Sequence, residues 1–289
     1  MKAKFLLNDY TLIWTLLFQG SVKESIYKLK QKLWLNYKNE YNIAYKDKNI
    51  ILSDPKNFIP SDDTVYNFIL ANKDYEEIKK ETEKYRREVM KIWDKNIKSI
   101  NNLFTDILRK EIEEYTILIV NDELDILDTC SSNKAKSIIL GKKIDDEEKE
   151  KILYDILMTI FEKEVKDTTI NNQNIRQSII ELAVLNEFPT RLHKRSCYLK
   201  GTLDLSNLKR KIYPYWLMYL GVPKEDFLKY MMRDNIAFEV DKYTYEKQFV
   251  KMDLEEFIDF CSRNKKIMFK EEDIKKEEKK IEIEEIEQL

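Results

Sequence analysis

The chain has 289 residues, 43% of them hydrophobic, which is ample apolar mass for one large domain or two smaller ones. Its 51 Lys and Arg nearly balance its 53 Asp and Glu, so the net charge of −2 gives no reason to expect a nucleic-acid or a membrane surface as partner. A single histidine, His193, excludes two-histidine zinc sites, paired Glu-x-x-His di-iron sites and most proton relays built from this chain alone.

Lys2 and Lys4 precede an apolar stretch from Tyr10 to Phe18 that Asn8 and Asp9 interrupt early. It is too short to span a bilayer and no small-residue cleavage site follows, so neither an anchor nor a signal peptide is expected, and the expected location is the cytoplasm. With only four Gly and five Pro, long helices should dominate. Gly20 breaks the first run, and Ser21 with Glu24 forms a capping box for a helix whose Ile26, Leu29, Leu33 and Tyr37 share one face. Pro55 and Pro60 mark a loop, after which a short helix carries Val65, Phe68 and Ile69. From Asp74 to about Glu111 the stripe Tyr85, Val89, Ile92, Trp93, Ile100, Leu103, Phe104 and Ile107 predicts one long amphipathic helix.

The pattern then changes. Tyr115 to Val120 (YTILIV) and Lys136 to Leu140 (KSIIL) read as strands, separated by a polar loop at Asp128 to Asn133. Gly141 ends the second, and Asp145 with Glu148 caps a helix carrying Ile152, Leu153, Ile156, Leu157, Ile160 and Phe161. Another helix is predicted from Asn172 to Phe188, with Pro189 ending it. Arg191, His193, Lys194 and Arg195 look like an exposed basic turn after that helix, which gives His193 no nucleophile to serve.

In the last third Tyr213, Tyr215, Trp216 and Tyr219 gather around Pro214, either as core or as a candidate interaction surface; Pro223 and the Asp253–Glu256 pair open later helices. Lys270 to Leu289 nearly alternates Lys, Glu and Ile, as for a solvated helix or a disordered tail. Cys130, Cys197 and Cys261 are widely spaced and odd in number, as for reduced thiols rather than a disulfide framework or zinc ribbon. Only nine of the basic residues are Arg, so lysine runs are discounted as solvated faces. The expected fold is α+β and predominantly α-helical, with a small sheet. Its expected segments are an N-terminal helical region (1–72), a central region with the long helix, strands and helix pair (73–193), a helical region (194–269) and a charged tail (270–289).

The order of a long helix, two strands, a capped helix and a second helix carrying Glu181 and Glu187, together with the text of Lys136 to Phe188, resembles the core of a zincin metallopeptidase. In that family the helix after an edge strand carries His-Glu-x-x-His, a following helix supplies a third zinc ligand, and the glutamate is general base on the bound water. The matching window here is Tyr154, Asp155, Ile156, Leu157 and Met158, so both imidazole positions are substituted and the base position holds a shorter carboxylate. On a helical wheel Tyr154 and Met158 lie roughly 110° to 150° from the main apolar face, sharing a second one. Glu181, on a stripe with Val184, Leu185 and Phe188, corresponds to a former third ligand. The resemblance therefore implies a catalytically inactive zincin-like domain, with no metal and no cofactor, that acts as a binding or regulatory module for a protein or peptide. Two other readings stay open: a helical interaction protein with no peptidase ancestry, and a histidine-independent hydrolase using carboxylates such as Asp155, Glu181 and Glu187.

Overall fold

A computed structural model describes residues 2–19, 24–54, 57–129, 136–165, 172–193, 200–243 and 247–264. The described residues are mainly helical with one small mixed sheet, as the composition and periodicity predict. Two compact units divide the chain: Met1–Lys95 with Glu113–Thr159, and Asn96–Ile112 with Ile160–Leu289. These bounds differ from the expected 1–72, 73–193 and 194–269, because the chain passes between units inside two helices. An unbroken helical stripe carries no mark of where its packing partners change. The tail at 270–289, the basic residues Lys194 and Arg195, the cap Ser21, and Cys130 and Cys197 lie outside the described residues.

The first unit opens with β1 (Ala3–Leu6) and α1 (Asp9–Phe18), whose N-cap Asn8 accepts a hydrogen bond from the Thr11 backbone N–H at 3.0 Å. Leu12, Ile13, Trp14, Leu16 and Leu17 are all buried, which is why this run reads as continuously apolar rather than amphipathic. Around it pack α2 (Glu24–Asn36), α3 (Lys38–Lys46), α4 (Lys48–Ser53) and α5 (Thr64–Leu70). Buried Asp47 accepts from the Ser61 hydroxyl at 2.5 Å and from the Tyr66 phenol at 3.4 Å, so its charge is solvated by the protein.

The long predicted helix is α6 (Lys73–Leu103), continued by a π-helical turn at Phe104–Leu108. Its stripe Tyr75, Ile78, Tyr85, Val89 and Trp93 is buried, each such side chain contributing on the order of 1.5–3 kcal/mol. At its start Asp9 accepts from Tyr75 at 2.6 Å and pairs with Lys79 at 2.8 Å, tying α6 to the first turn of α1.

Next come β2 (Tyr115–Ile119), β3 (Ile126–Thr129) and β4 (Ser137–Gly141), forming with β1 a sheet of order β1-β2-β4-β3. β1 and β4 run parallel to β2, with Phe5 opposite Ile117 and Ile117 opposite Ile138, while β3 is antiparallel to β4, with Asp128 opposite Ile139. Every residue of β2 and β4 is buried, and a strand covered on both faces reads as an apolar run. Two of the four strands were not expected. β1 and β3 are edge strands of four residues carrying Lys4 and Asp128, so each is too short and too polar for that pattern, and Asp128 belongs to a strand rather than to the expected loop. Gly141 is required where it stands, since a Cβ would meet the Asn121 carbonyl oxygen at 2.6 Å. After β4, α7 (Lys151–Glu164) begins beyond a turn organised by Asp145.

In the second unit α8 (Gln173–Glu181), a π-helical segment Leu182–Glu187 and α9 (Phe188–His193) run on without a break. Pro189 was expected to end this helix and does not. The π segment has already shifted the hydrogen-bond ladder, with Phe188 N–H bonding the Ala183 carbonyl, and the widened turn accommodates a residue with no N–H. Then follow α10 (Ser206–Tyr219), α11 (Phe227–Asp234) and α12 (Leu254–Arg263), the last with the predicted capping box complete between Asp253 and Glu256. Tyr219 stacks on Phe257 at 4.7 Å and on Trp216 at 5.4 Å. Arg109, in the left-handed conformation at the close of the first π turn, reaches the carbonyls of Tyr219, Phe249, Val250 and Met252 at 2.5 to 3.2 Å. Among the described residues no helix is long and apolar enough to cross a membrane.

Candidate functional site

The window singled out by the resemblance lies on the first two turns of α7. Asp145 fixes their entry by accepting from the Glu148 N–H at 3.1 Å and the Glu147 N–H at 2.9 Å, and these bonds with Lys151 hold its carboxyl below the usual range. Ile152, Leu153, Ile156 and Leu157 are buried, as the predicted main face requires. Tyr154 is buried too, and its phenol donates to Glu148 Oε1 at 2.9 Å. Met158 is half-buried.

Asp155 turns the other way. It lines a groove of about 530 Å³ together with Asp125, Lys142, Lys143, Asp145 and Lys151, at the junction of the β3 start, the β4 end and the opening of α7. Lys142 Nζ stands 3.6 Å from its carboxylate, Lys143 pairs with Glu123 at 2.8 Å, and Lys151 with Asp145 at 3.2 Å. Partial burial raises the Asp155 carboxyl above its ordinary pKa, an effect the neighbouring Lys142 opposes. The Lys142 backbone N–H donates to the Tyr85 phenol at 3.2 Å, which fixes the wall from which Lys142 projects. The groove thus presents cations and carboxylates side by side.

These residues do not fit a zinc ion. Within the window Tyr154 to Met158, the Tyr154 hydroxyl hydrogen is committed to Glu148, the Met158 thioether prefers softer metals, and Asp155 is the one carboxylate. Among the described residues there is no group of three His, Cys, Asp or Glu side chains that could hold a metal ion.

Glu181 and Glu187 belong to the second unit, and there each is enclosed in an ion pair. Glu181 meets Lys209 at 2.6 Å, Thr202 Oγ1 at 2.7 Å and the Thr202 N–H at 3.1 Å, while Lys209 also donates to the Lys200 carbonyl at 2.8 Å. Both charges are buried, at 2% and 1% exposure. Gly201 (φ 109°) lets the loop close over the pair, since a Cβ there would lie 2.2 Å from Glu181 Oε2. Glu187 is held by Arg191 and Arg233, each at 2.8 Å; Arg233 also binds Asp234, which accepts from Tyr213 at 2.5 Å, and Arg191 reaches Asp106 at 2.6 Å. Burial raises the Tyr213 phenol pKa, and the adjacent Asp234 carboxylate raises it further. A general acid or base must be reachable by substrate, and neither glutamate is.

The candidate interaction surface is corrected by the same unit. Tyr213, Trp216 and Tyr219 are buried, and half-buried Tyr215 packs on Tyr243 at 5.5 Å and Phe249 at 6.2 Å. An aromatic cluster repeating at helical spacing buried itself in its own core. His193 is exposed in the last turn of α9. Cys261 is buried, which pushes its thiol pKa up and away from reactivity.

Nothing in the sequence sets the lysines of the Asp155 groove apart, because lysine is abundant along the whole chain. Lys209 had a readable signal: it shares the stripe of Leu205, Leu208, Ile212 and Trp216, where a cation needs a buried partner. No protein-family model matches the chain, and no curated protein and no solved structure matches it either.

Proposed function

We propose that the chain is a catalytically silent, zincin-like module of the cytoplasm that binds a protein or peptide segment beside Asp155. The observation that carries this reading is the open groove at the matched window, bordered by the start of an edge strand. β3 pairs through one side with β4, and the outer side of an edge strand has main-chain groups able to take up an extended segment. Further support comes from the chain order, in which the long α6 precedes the strands and the window follows them on α7; the resemblance would put an edge strand directly before that helix, and here the strand is β4, interior to the sheet. The committed Tyr154 phenol supports silence.

Two measurements test the proposal. Elemental analysis of the purified chain should find no stoichiometric zinc, whereas the triple variant Tyr154→His, Asp155→Glu, Met158→His should acquire zinc affinity in an isothermal titration. Tightly bound zinc in the unmodified chain, or a folded triple variant blind to zinc, would sink the zincin reading. For the groove, extended peptides selected from a displayed library should lose at least about tenfold in affinity on Asp155→Arg, which reverses a charge inside it. Peptides indifferent to that change would remove the groove as the binding site.

A further inference from the structure

The near-zero net charge of the whole chain averages over a local excess in the first unit. Between Glu24 and Ser53 there are six lysines against Glu24, Glu40 and Asp47, and Asp47 is buried. The same stretch exposes large apolar side chains: Tyr27 at 52%, Trp34 at 47%, Leu35 at 80% and Tyr45 at 54%. On α2 the buried Leu29 and Leu33 face the core, and Tyr27, Trp34 and Leu35 fall within about 100° of one another on the opposite side. Lys28 and Lys32 lie along the edge of that strip, and Lys38 Nζ sits 5.2 Å from the Trp34 ring centre. Lys28 shares its charge with Glu24 at 2.7 Å. Ring contacts extend the face across α3, from Trp34 to Tyr41 at 5.6 Å, to Phe18 at 5.1 Å and on to Tyr45 at 5.1 Å.

We propose that this outer face of α2 and α3 docks on an anionic lipid surface. The charge is complementary, and the side chains are of the kinds that work at a bilayer boundary: Trp and Tyr rings with one polar edge, and lysines whose stems lie among apolar groups while their ammoniums stay in water. Shape decides between a bilayer and a protein partner. Leu35 stands proud of the surface, and a protruding apolar tip inserts into a deformable interface without a matching cavity, whereas a folded partner would need one. Each exposed lysine near an anionic bilayer strengthens binding by roughly fivefold. The attachment is peripheral and reversible, separate from the Asp155 groove.

The chain carries its own reporter. Of its four tryptophans Trp14, Trp93 and Trp216 are at most 2% exposed, so an emission change on binding comes from Trp34. The full chain is titrated with phosphatidylcholine vesicles with and without phosphatidylserine at about 30 mol%. Expected are co-sedimentation and a blue-shifted emission with the anionic vesicles alone, weakened by added salt. Trp34→Phe should abolish the blue shift, and the triple variant Lys28→Glu, Lys32→Glu, Lys38→Glu should lower partitioning by about a hundredfold or more. All these positions are exposed, and circular dichroism verifies that the variants fold. Absence of binding to anionic vesicles at low salt overturns the proposal, as does equal binding to neutral vesicles or binding that survives the triple variant. Lysine-dependent binding to a polyglutamate peptide, with vesicles ignored, would also overturn it and give the face to an acidic protein.

Discussion

The Asp155 groove and the Glu181–Lys209 pair use the same ingredients, a carboxylate beside a lysine, and come out as opposites. At Asp155 the charges are 3.6 Å apart, both side chains are about one-third exposed, and the surroundings form an open groove. At Glu181 the gap is 2.6 Å, both groups are buried, and threonine and backbone donors and acceptors complete their hydrogen bonding. An ion pair in water is worth little and leaves its members free for other partners, whereas each member of a buried pair depends on the other for its charge to be tolerated and is unavailable to a ligand. Carboxylates legible in sequence as equivalent candidates thus separate by burial into one that is open to solvent and two that are enclosed in their own ion pairs.

The contrast breaks most easily at Lys209. Lys209→Ala strands the Glu181 charge and should cost about 3–5 kcal/mol in urea unfolding, while the double variant Glu181→Leu, Lys209→Met recovers most of it. A loss below about 1 kcal/mol for the single variant would mean that water reaches Glu181 after all. Gly201→Ala comes next, at roughly 1–3 kcal/mol, because the new Cβ collides with the carboxylate in a backbone conformation that disfavours it. Smallest is Asp155→Asn, expected within about 1 kcal/mol.

The pH dependence of that last variant sharpens the comparison. The folded carboxyl of Asp155 has a raised pKa, so the fold binds its proton more tightly than the unfolded chain does. Stability is therefore lost as pH rises from the ordinary carboxylate value through the folded one. Asp155→Asn should then be slightly more stable than the unmodified chain at neutral pH, with the advantage vanishing below the ordinary carboxylate range. Thermal melts across that interval check the sign.

How far these features could be read beforehand follows from where each residue sits. β2 and β4 were legible because both of their faces are buried; β1 and β3 were not, because an edge strand needs only four residues and tolerates Lys4 or Asp128. The α12 cap was legible because Asp253 and Glu256 satisfy each other's backbone locally. Pro189 misled because the register shift that tolerates it arises earlier, in the π segment, which no composition marks. Asp155 was picked out by resemblance alone, and its lysine neighbours were lost against a lysine-rich background. The aromatics of α10 advertised themselves strongly and were core.

Arg109 carries a consequence for the order of folding. Its carbonyl partners lie 110 to 143 residues further along the chain, at Tyr219, Phe249, Val250 and Met252. At ordinary synthesis rates of about 5–20 residues per second the last of them emerges roughly 7–30 s after the arginine. Through that interval the left-handed turn that aims the guanidinium has no partner among those carbonyls to justify it. The four contacts of Arg109 are therefore complete only once Met252 has been made, whatever part of the second unit has formed before.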